Sequence, residues 1–270
     1  MSNSKGIALI TGSAQGIGRS IALRLAQDGF DIALNDVPTK GPQLESVATE
    51  IKSLGRRVCI VPADVTVDEQ VKEMVDGAVT KLGGLDVMVA NAGVATGGSL
   101  LSSTVESWDH KMAVNARGPY LCYKYAAMQM IDQGRGGRII GASSLLGKMA
   151  FPYSCSYAAS KFAVRGLTQV AALELGKYGI TVNAYAPGWI PTDMSKSAKG
   201  VMDESGKMNF ATYIDDPVSR KWCTSVLENI PIKDVGQPED IASIVSYLAS
   251  KEAHFITGQC ISVDGGISMT

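Results

Sequence analysis

Short, wholly apolar runs alternate along this chain with longer segments of helical periodicity, and this alternation limits what it can fold into. Residues 7–11, 31–36, 57–61, 85–90, 137–142, 181–186 and 260–263 read as strands. Residues 16–29, 42–54, 67–82, 105–116, 118–132, 157–178 and 240–249 read as helices, the first placing Ile17, Ile21 and Leu25 on one face. Continuous apolar strands separated by helices require a parallel sheet covered on both faces. Right-handed crossovers then make it a doubly wound α/β sheet. The regularity stops at Pro187, and residues 188–236 read as an irregular lobe with some helix, suited to holding a substrate. No low-complexity linker interrupts the 270 residues, so one domain is expected.

Composition then removes several kinds of chemistry. There are 2 histidines, His110 and His254, too few for a multi-His zinc site, and no Cys-x-x-Cys replaces them. No G-x-S-x-G elbow supports a Ser-His-Asp hydrolase. No metal is expected. The 5 cysteines are scattered; Cys59, Cys122 and Cys260 sit in apolar stretches and are expected to be buried, which suits a reducing, cytoplasmic compartment. With 25 Lys+Arg against 26 Asp+Glu and no basic run, neither nucleic acid nor an anionic membrane is an expected partner. No stretch approaches the 18 or so apolar residues of a membrane span. The chemistry is left to Ser, Tyr, Lys, Asn or carboxylates, or to a bound cofactor.

The first strand runs into Thr11-Gly12-Ser13-Ala14-Gln15-Gly16-Ile17-Gly18. Glycines after a strand let a pyrophosphate approach the backbone, and the following helix offers free N–H groups. The spacing is G-x-x-x-G-x-G, and by itself it is also compatible with a structural turn. Asp36 ends the second strand, where a carboxylate can accept the ribose hydroxyls of an adenosine and repel a 2′-phosphate. That favours NAD over NADP; the competing reading is a turn-capping Asp. Arg19 and Lys40 are the nearby cations that argue the other way. Asp64-Val65 and Asn91-Ala92-Gly93 follow the third and fourth strands and reach the same sheet edge.

Tyr157 and Lys161 share a helix face at i, i+4. A phenol has a reference pKa of about 10, and an ammonium beside it stabilises the phenolate, which suits proton exchange with a carbonyl or alcohol oxygen. The same spacing occurs at Tyr120/Lys124 and Tyr247/Lys251, where the setting is structural. Tyr157 differs because the fifth strand before it ends at Ser143-Ser144. Asn115 lies in the helical stretch between strands four and five; core packing or capping is its other reading. Leu145, Tyr153 and Trp189 flank these motifs and could wall a small apolar substrate pocket or simply pack.

TGSAQGIG at 11–18, Asp64-Val65, NAG at 91–93, Asn115, Ser144 with Gly147, YAASK at 157–161 and PGWIPT at 187–192 occur in order over nearly the whole chain. With them the sequence resembles the short-chain dehydrogenase/reductase family. The resemblance implies a Rossmann-like subunit with a seven-stranded sheet. It implies Tyr157 as general acid/base, Lys161 as modulator of its pKa and ligand of the nicotinamide ribose, Ser144 as orienter, and Asn115 as support for a relay water. It further implies cofactor contacts from Gly12, Gln15, Gly16, Ile17, Gly18, Asp36, Asp64, Val65, Asn91 and Gly93. Pro187, Gly188, Ile190 and Thr192 match the positions that meet the nicotinamide end. Ala90 stands where the family usually has a second Asn before NAG. Residues 160–169, 179–188 and 247–259 look most like acetoin/diacetyl reductases and butanediol dehydrogenases. The family is usually tetrameric, which makes Tyr247, Leu248 and residues 267–269 candidate interface positions.

The leading expectation is an NAD(H)-dependent oxidoreductase acting on a small ketone, diketone or hydroxyketone and the matching secondary alcohol. A polyol dehydrogenase and a 3-oxoacyl carrier-protein reductase are the alternatives within the class. A non-catalytic NAD-binding sensor is the alternative outside it, and the complete Asn115/Ser144/Tyr157/Lys161 set argues against that. An epimerase or dehydratase with the same Tyr-Lys pair resembles longer chains.

Overall fold

The computed structural model describes residues 4–95, 97–192 and 216–269. Seven strands form one parallel sheet in the order β3-β2-β1-β4-β5-β6-β7. They are β1 (Ile7–Ile10), β2 (Asp31–Leu34), β3 (Val58–Ile60), β4 (Val87–Ala90), β5 (Gly137–Ala142), β6 (Ile180–Pro187) and β7 (Cys260–Val263). The helices are α1 (Gly16–Asp28), α2 (Gly41–Ser53), α3 (Asp68–Leu82), α4 (Val105–Met112), α5 (Gly118–Gln133), α6 (Cys155–Leu175), α7 (Pro217–Glu228) and α8 (Pro238–Ala249). The architecture is the Rossmann-like α/β fold expected from the alternation.

Strand side chains alternate between two cores because successive residues point to opposite faces. Ala8, Ile10, Val87 and Val89 pack with α1, α2 and α8; Ile7, Leu9, Met88 and Ala90 pack with α3, α5 and α6. Each fully buried Leu or Ile contributes about 1.5–3 kcal/mol relative to exposure. The chain runs outward from β1 to β3, then returns to lay β4 beside β1. The loops leaving β1 and β4 therefore diverge, and the crevice between them is the natural ligand site of an open parallel sheet.

Several boundaries differ from expectation. The helix expected over 105–116 stops at Met112 and continues as a π turn over Ala113–Arg117, closed by the Gly118 N–H donating to the Ala113 carbonyl. The helix carrying Tyr157 starts at Cys155 and ends in a 3-10 turn over Gly176–Tyr178. Leu248, a candidate interface residue, is fully buried in the core between α8 and the sheet; Tyr247 beside it and Met269 are exposed. Cys59 and Cys122 are buried as expected, whereas Cys260 is only half-buried, because its strand is the sheet edge. Of the lobe expected over 188–236, residues 193–215 lie outside the described residues, and α7 supplies its helix. No helix among the described residues is long and apolar enough to cross a membrane.

Candidate active site

A cleft of about 650 Å³ opens over the carboxyl ends of the strands. That is within the range of small-molecule sites, about 300–1,000 Å³. At one end the Gly-rich turn is drawn tight by the chain itself. Gly12 and Gly16 adopt φ of 64° and 56°, a left-handed backbone that favours glycine. At Gly18 a Cβ would collide with the Gly12 carbonyl oxygen. Asn91 staples the turn from β4, its Nδ2 donating to the carbonyls of Thr11 (2.9 Å) and Gly12 (3.2 Å). Tyr185 on β6 in turn donates to Asn91 Oδ1 at 2.8 Å. Helix α1 starts with no side-chain cap and no acidic residue in its first turn, so its leading N–H groups face the cleft.

Asp36 stands beside this turn. Its Oδ2 accepts from the Ala14 N–H (3.2 Å) and its Oδ1 from the Val37 N–H (2.9 Å), which fixes the carboxylate at the cleft wall. Arg19 is committed to Glu50 at 2.6 Å, whereas Lys40 lines the cleft and donates to Gln15 Oε1 at 3.0 Å. Asp64 and Val65 border the same end. A turn opened by Gly12, Gly16 and Gly18, an uncapped helix start and a fixed carboxylate together fit the pyrophosphate and ribose of a dinucleotide.

At the other end Ser144, Tyr157 and Lys161 converge. Tyr157 is half-buried; desolvation pushes its phenol above the ordinary tyrosine value, and a hydrogen bond with Ser144 works against that rise. Lys161 is 4% exposed, donates from Nζ to the Ala142 carbonyl at 2.9 Å, and lies 5.6 Å from the centre of the Tyr157 ring. Sequence reasoning expected the ammonium to pull the phenol down. In the protein alone burial prevails, because Nζ is turned to the end of β5 rather than to the phenol oxygen. Burial also lowers Lys161 itself, from 10.5 to about 8.

This lowering has a measurable consequence. Below pH 8 the ammonium is charged in both folded and unfolded chains, and its burial costs up to about 3 kcal/mol of stability. Between pH 8 and 10.5 the unfolded chain binds more protons, so the penalty fades as pH rises. Lys161→Met is therefore expected to be the more stable protein at pH 7, with the gap narrowing over that window. Denaturant unfolding at several pH values tests this; a gap that is constant or widens with pH contradicts it.

Asn115 lies behind this wall. It is fully buried in the π turn and is not among the cleft-lining residues. Its Nδ2 donates to the Val94 carbonyl (2.9 Å) and Ser160 Oγ (3.2 Å), and its Oδ1 accepts from the Val94 N–H (2.8 Å). In this arrangement it braces the loop after β4 against α6. Tyr153 is likewise absent from the lining, although Phe151, Pro152 and Ser154 are in it. The reason is local: Tyr153 has φ 60°, and its carbonyl accepts from the Gly98 N–H, so the backbone turns there. All other candidate residues, from Gly12 through Leu145 and Trp189 to Thr192, line the cleft.

Several lining residues carried no usable sequence signal. Cys223, fully buried, comes from α7, and Ile267 from the C-terminal tail. Phe151 meets Trp222 edge-on, with ring centres 5.1 Å apart and planes at 68°, which ties α7 to the loop before α6. Asn35 was legible only as the neighbour of Asp36; its Nδ2 donates to the Val61 and Ala63 carbonyls and holds the end of β3 to β2.

The model of a family described as enoyl-(acyl carrier protein) reductase matches residues 12–268. A short-chain dehydrogenase/reductase of Armillaria gallica is 49% identical, over 97% of this chain and 95% of its own. The 3-oxoacyl-(acyl-carrier-protein) reductase of Staphylococcus epidermidis is 38% identical, over 97% and 98% respectively. A crystal structure of an acetoin dehydrogenase from Salmonella typhimurium superimposes with a TM-score of 0.81 at 34% identity, covering 97% of this chain and 95% of that one.

Proposed function

The chain belongs to the short-chain dehydrogenase/reductase family of oxidoreductases, and on that premise we propose that it interconverts a small ketone, diketone or hydroxyketone and the secondary alcohol using NAD(H). The observation that carries this reading is the meeting of Ser144, Tyr157 and Lys161 at one end of a cleft whose other end is the Gly-rich turn and Asp36. A nicotinamide dinucleotide, when bound, supplies or accepts the hydride. The rest falls to the chain. Ser144 Oγ holds the carbonyl oxygen beside the phenol. Tyr157 gives its proton to that oxygen in reduction and takes it back in oxidation. The Lys161 ammonium favours the phenolate that results. Asp36, Asp64, Val65 and the turn from Gly12 to Gly18 hold the adenosine and pyrophosphate; Pro187, Gly188, Ile190 and Thr192 hold the nicotinamide end. Leu145, Phe151, Trp189 and Cys223 give the reacting end an apolar wall suited to a compact carbon skeleton. The same reading includes a cytoplasmic homotetramer, with Tyr247 and Met269 as exposed candidate contacts.

A 3-oxoacyl carrier-protein reductase is the second reading, favoured by the 38% identical relative. Against it stand Asp36, which disfavours the 2′-phosphate of NADP, and the net charge of −1, which offers no excess of positive charge to an acidic carrier. Ketones, diones, hydroxyketones and a 3-oxoacyl thioester, each assayed with NADH and NADPH and with polyols in the oxidative direction, separate the two. The highest kcat/KM is expected for NADH with a compact dione or hydroxyketone. A preference for NADPH, or for the thioester, would overturn it.

A further inference from the structure

His110 is a polar side chain of the cleft that the reading above leaves without a task. It lies near the end of α4, and with Ala113 and Val114 of the π turn that follows it lines the cleft. The same π turn carries Asn115 behind the Tyr157–Lys161 wall. The imidazole is exposed at the rim and has no hydrogen-bond partner among the described residues. Three hydroxyl-bearing residues elsewhere in the lining differ. Ser143 donates to the Lys161 carbonyl (3.1 Å), Ser154 to the Phe151 carbonyl (2.5 Å), and Tyr185 to Asn91 (2.8 Å). Their hydroxyl protons are committed within the protein. An imidazole offers at least one N–H donor in either protonation state.

A monofunctional ketone gives such a group nothing to do, since Ser144 and Tyr157 already meet the reacting oxygen. We propose that His110 is a specificity-determining residue that donates a hydrogen bond to a second oxygen on the carbon next to the reacting carbonyl. The preferred substrates are then vicinal diones and α-hydroxyketones rather than isolated ketones. The inference rests on the carbonyl-reductase reading given above and narrows its substrate class. A pocket built to bond a polar group discriminates against analogues that lack it, because its donor is then left unpaired.

The test compares His110→Ala with the parent on butane-2,3-dione and butan-2-one, which share a carbon skeleton, using NADH. Each substrate is judged by its own variant-to-parent ratio, since the dione is intrinsically more electrophilic. His110→Ala is expected to lower kcat/KM for the dione about tenfold, mainly through KM, and to change it less than about twofold for the monoketone. His110→Gln, which keeps an N–H donor, should restore most of the loss. NADH binding followed by fluorescence should be the same in all three proteins, which reports an intact fold. Equal losses on both substrates, or no loss on the dione, overturn the role of His110 and leave the carbonyl-reductase reading standing. A parent enzyme that reduces neither ketone with NADH overturns that reading, and this inference with it.

Discussion

Tyr157→Phe is expected to lower kcat for carbonyl reduction by about 10²–10⁴-fold, the usual contribution of a positioned general acid. The replacement removes one oxygen and leaves the ring. The half-buried aromatic body, its packing in α6 and the Lys161–Ala142 hydrogen bond all persist. The loss should therefore fall on kcat, with cofactor affinity nearly unchanged, because the interaction removed is one used in the transition state. Single-turnover reduction and NADH titration, measured on the same preparations, separate the two. A variant that keeps more than about a tenth of the parental kcat would show that another group protonates the oxygen. Because desolvation raises the phenol, the parent should lose its reductive rate only well into the alkaline range. That limb should be missing from whatever activity the variant retains.

Asp36→Ala is expected to reverse or erase the preference between the two cofactors. The carboxylate is pre-set by the Ala14 and Val37 N–H groups at 3.2 and 2.9 Å, so it does not have to be ordered when ribose arrives. Hydrogen bonds to a charged group contribute roughly 1.5–3 kcal/mol each. Losing those to the two ribose hydroxyls should cost NADH on the order of 10²-fold in kcat/KM. NADPH should gain, because the like charge that repelled its 2′-phosphate is gone. Lys40, held at the same end by Gln15, is free of Asp36 and becomes the dominant local charge. The measurement is the ratio of kcat/KM values for NADH and NADPH. A ratio unchanged by the substitution would reduce Asp36 to a cap on its own turn.

Strand and helix placement was legible because β1, β2, β4 and β6 are wholly buried and the helices between them turn apolar residues to the sheet. The glycine turn, Asp36, Ser144, Tyr157 and Lys161 were legible because sheet topology brings every strand's carboxyl end to one edge. What stayed hidden had non-local causes. Phe151 and Trp222 stand far apart in sequence and meet only through the fold. Leu248 and Tyr247 are adjacent, and helix rotation buries one and exposes the other. Asn115 reads the same in sequence whether it lines a cleft or braces it from behind. The direction of Lys161 Nζ, toward the end of β5, depends on a backbone carbonyl that a sequence pattern does not display.

The π turn at Ala113–Arg117 fixes the phase of everything around it. An α-helix advances about 100° per residue, so one added residue in a turn re-aims every side chain beyond it. Val114 at the cleft wall, Asn115 on the Val94 loop and Gly118 against Val65 all depend on that offset. Deleting a single residue here would straighten the helix while swinging α5 out of register with α3 and α6. The segment can thus exchange side chains far more freely than it can change length.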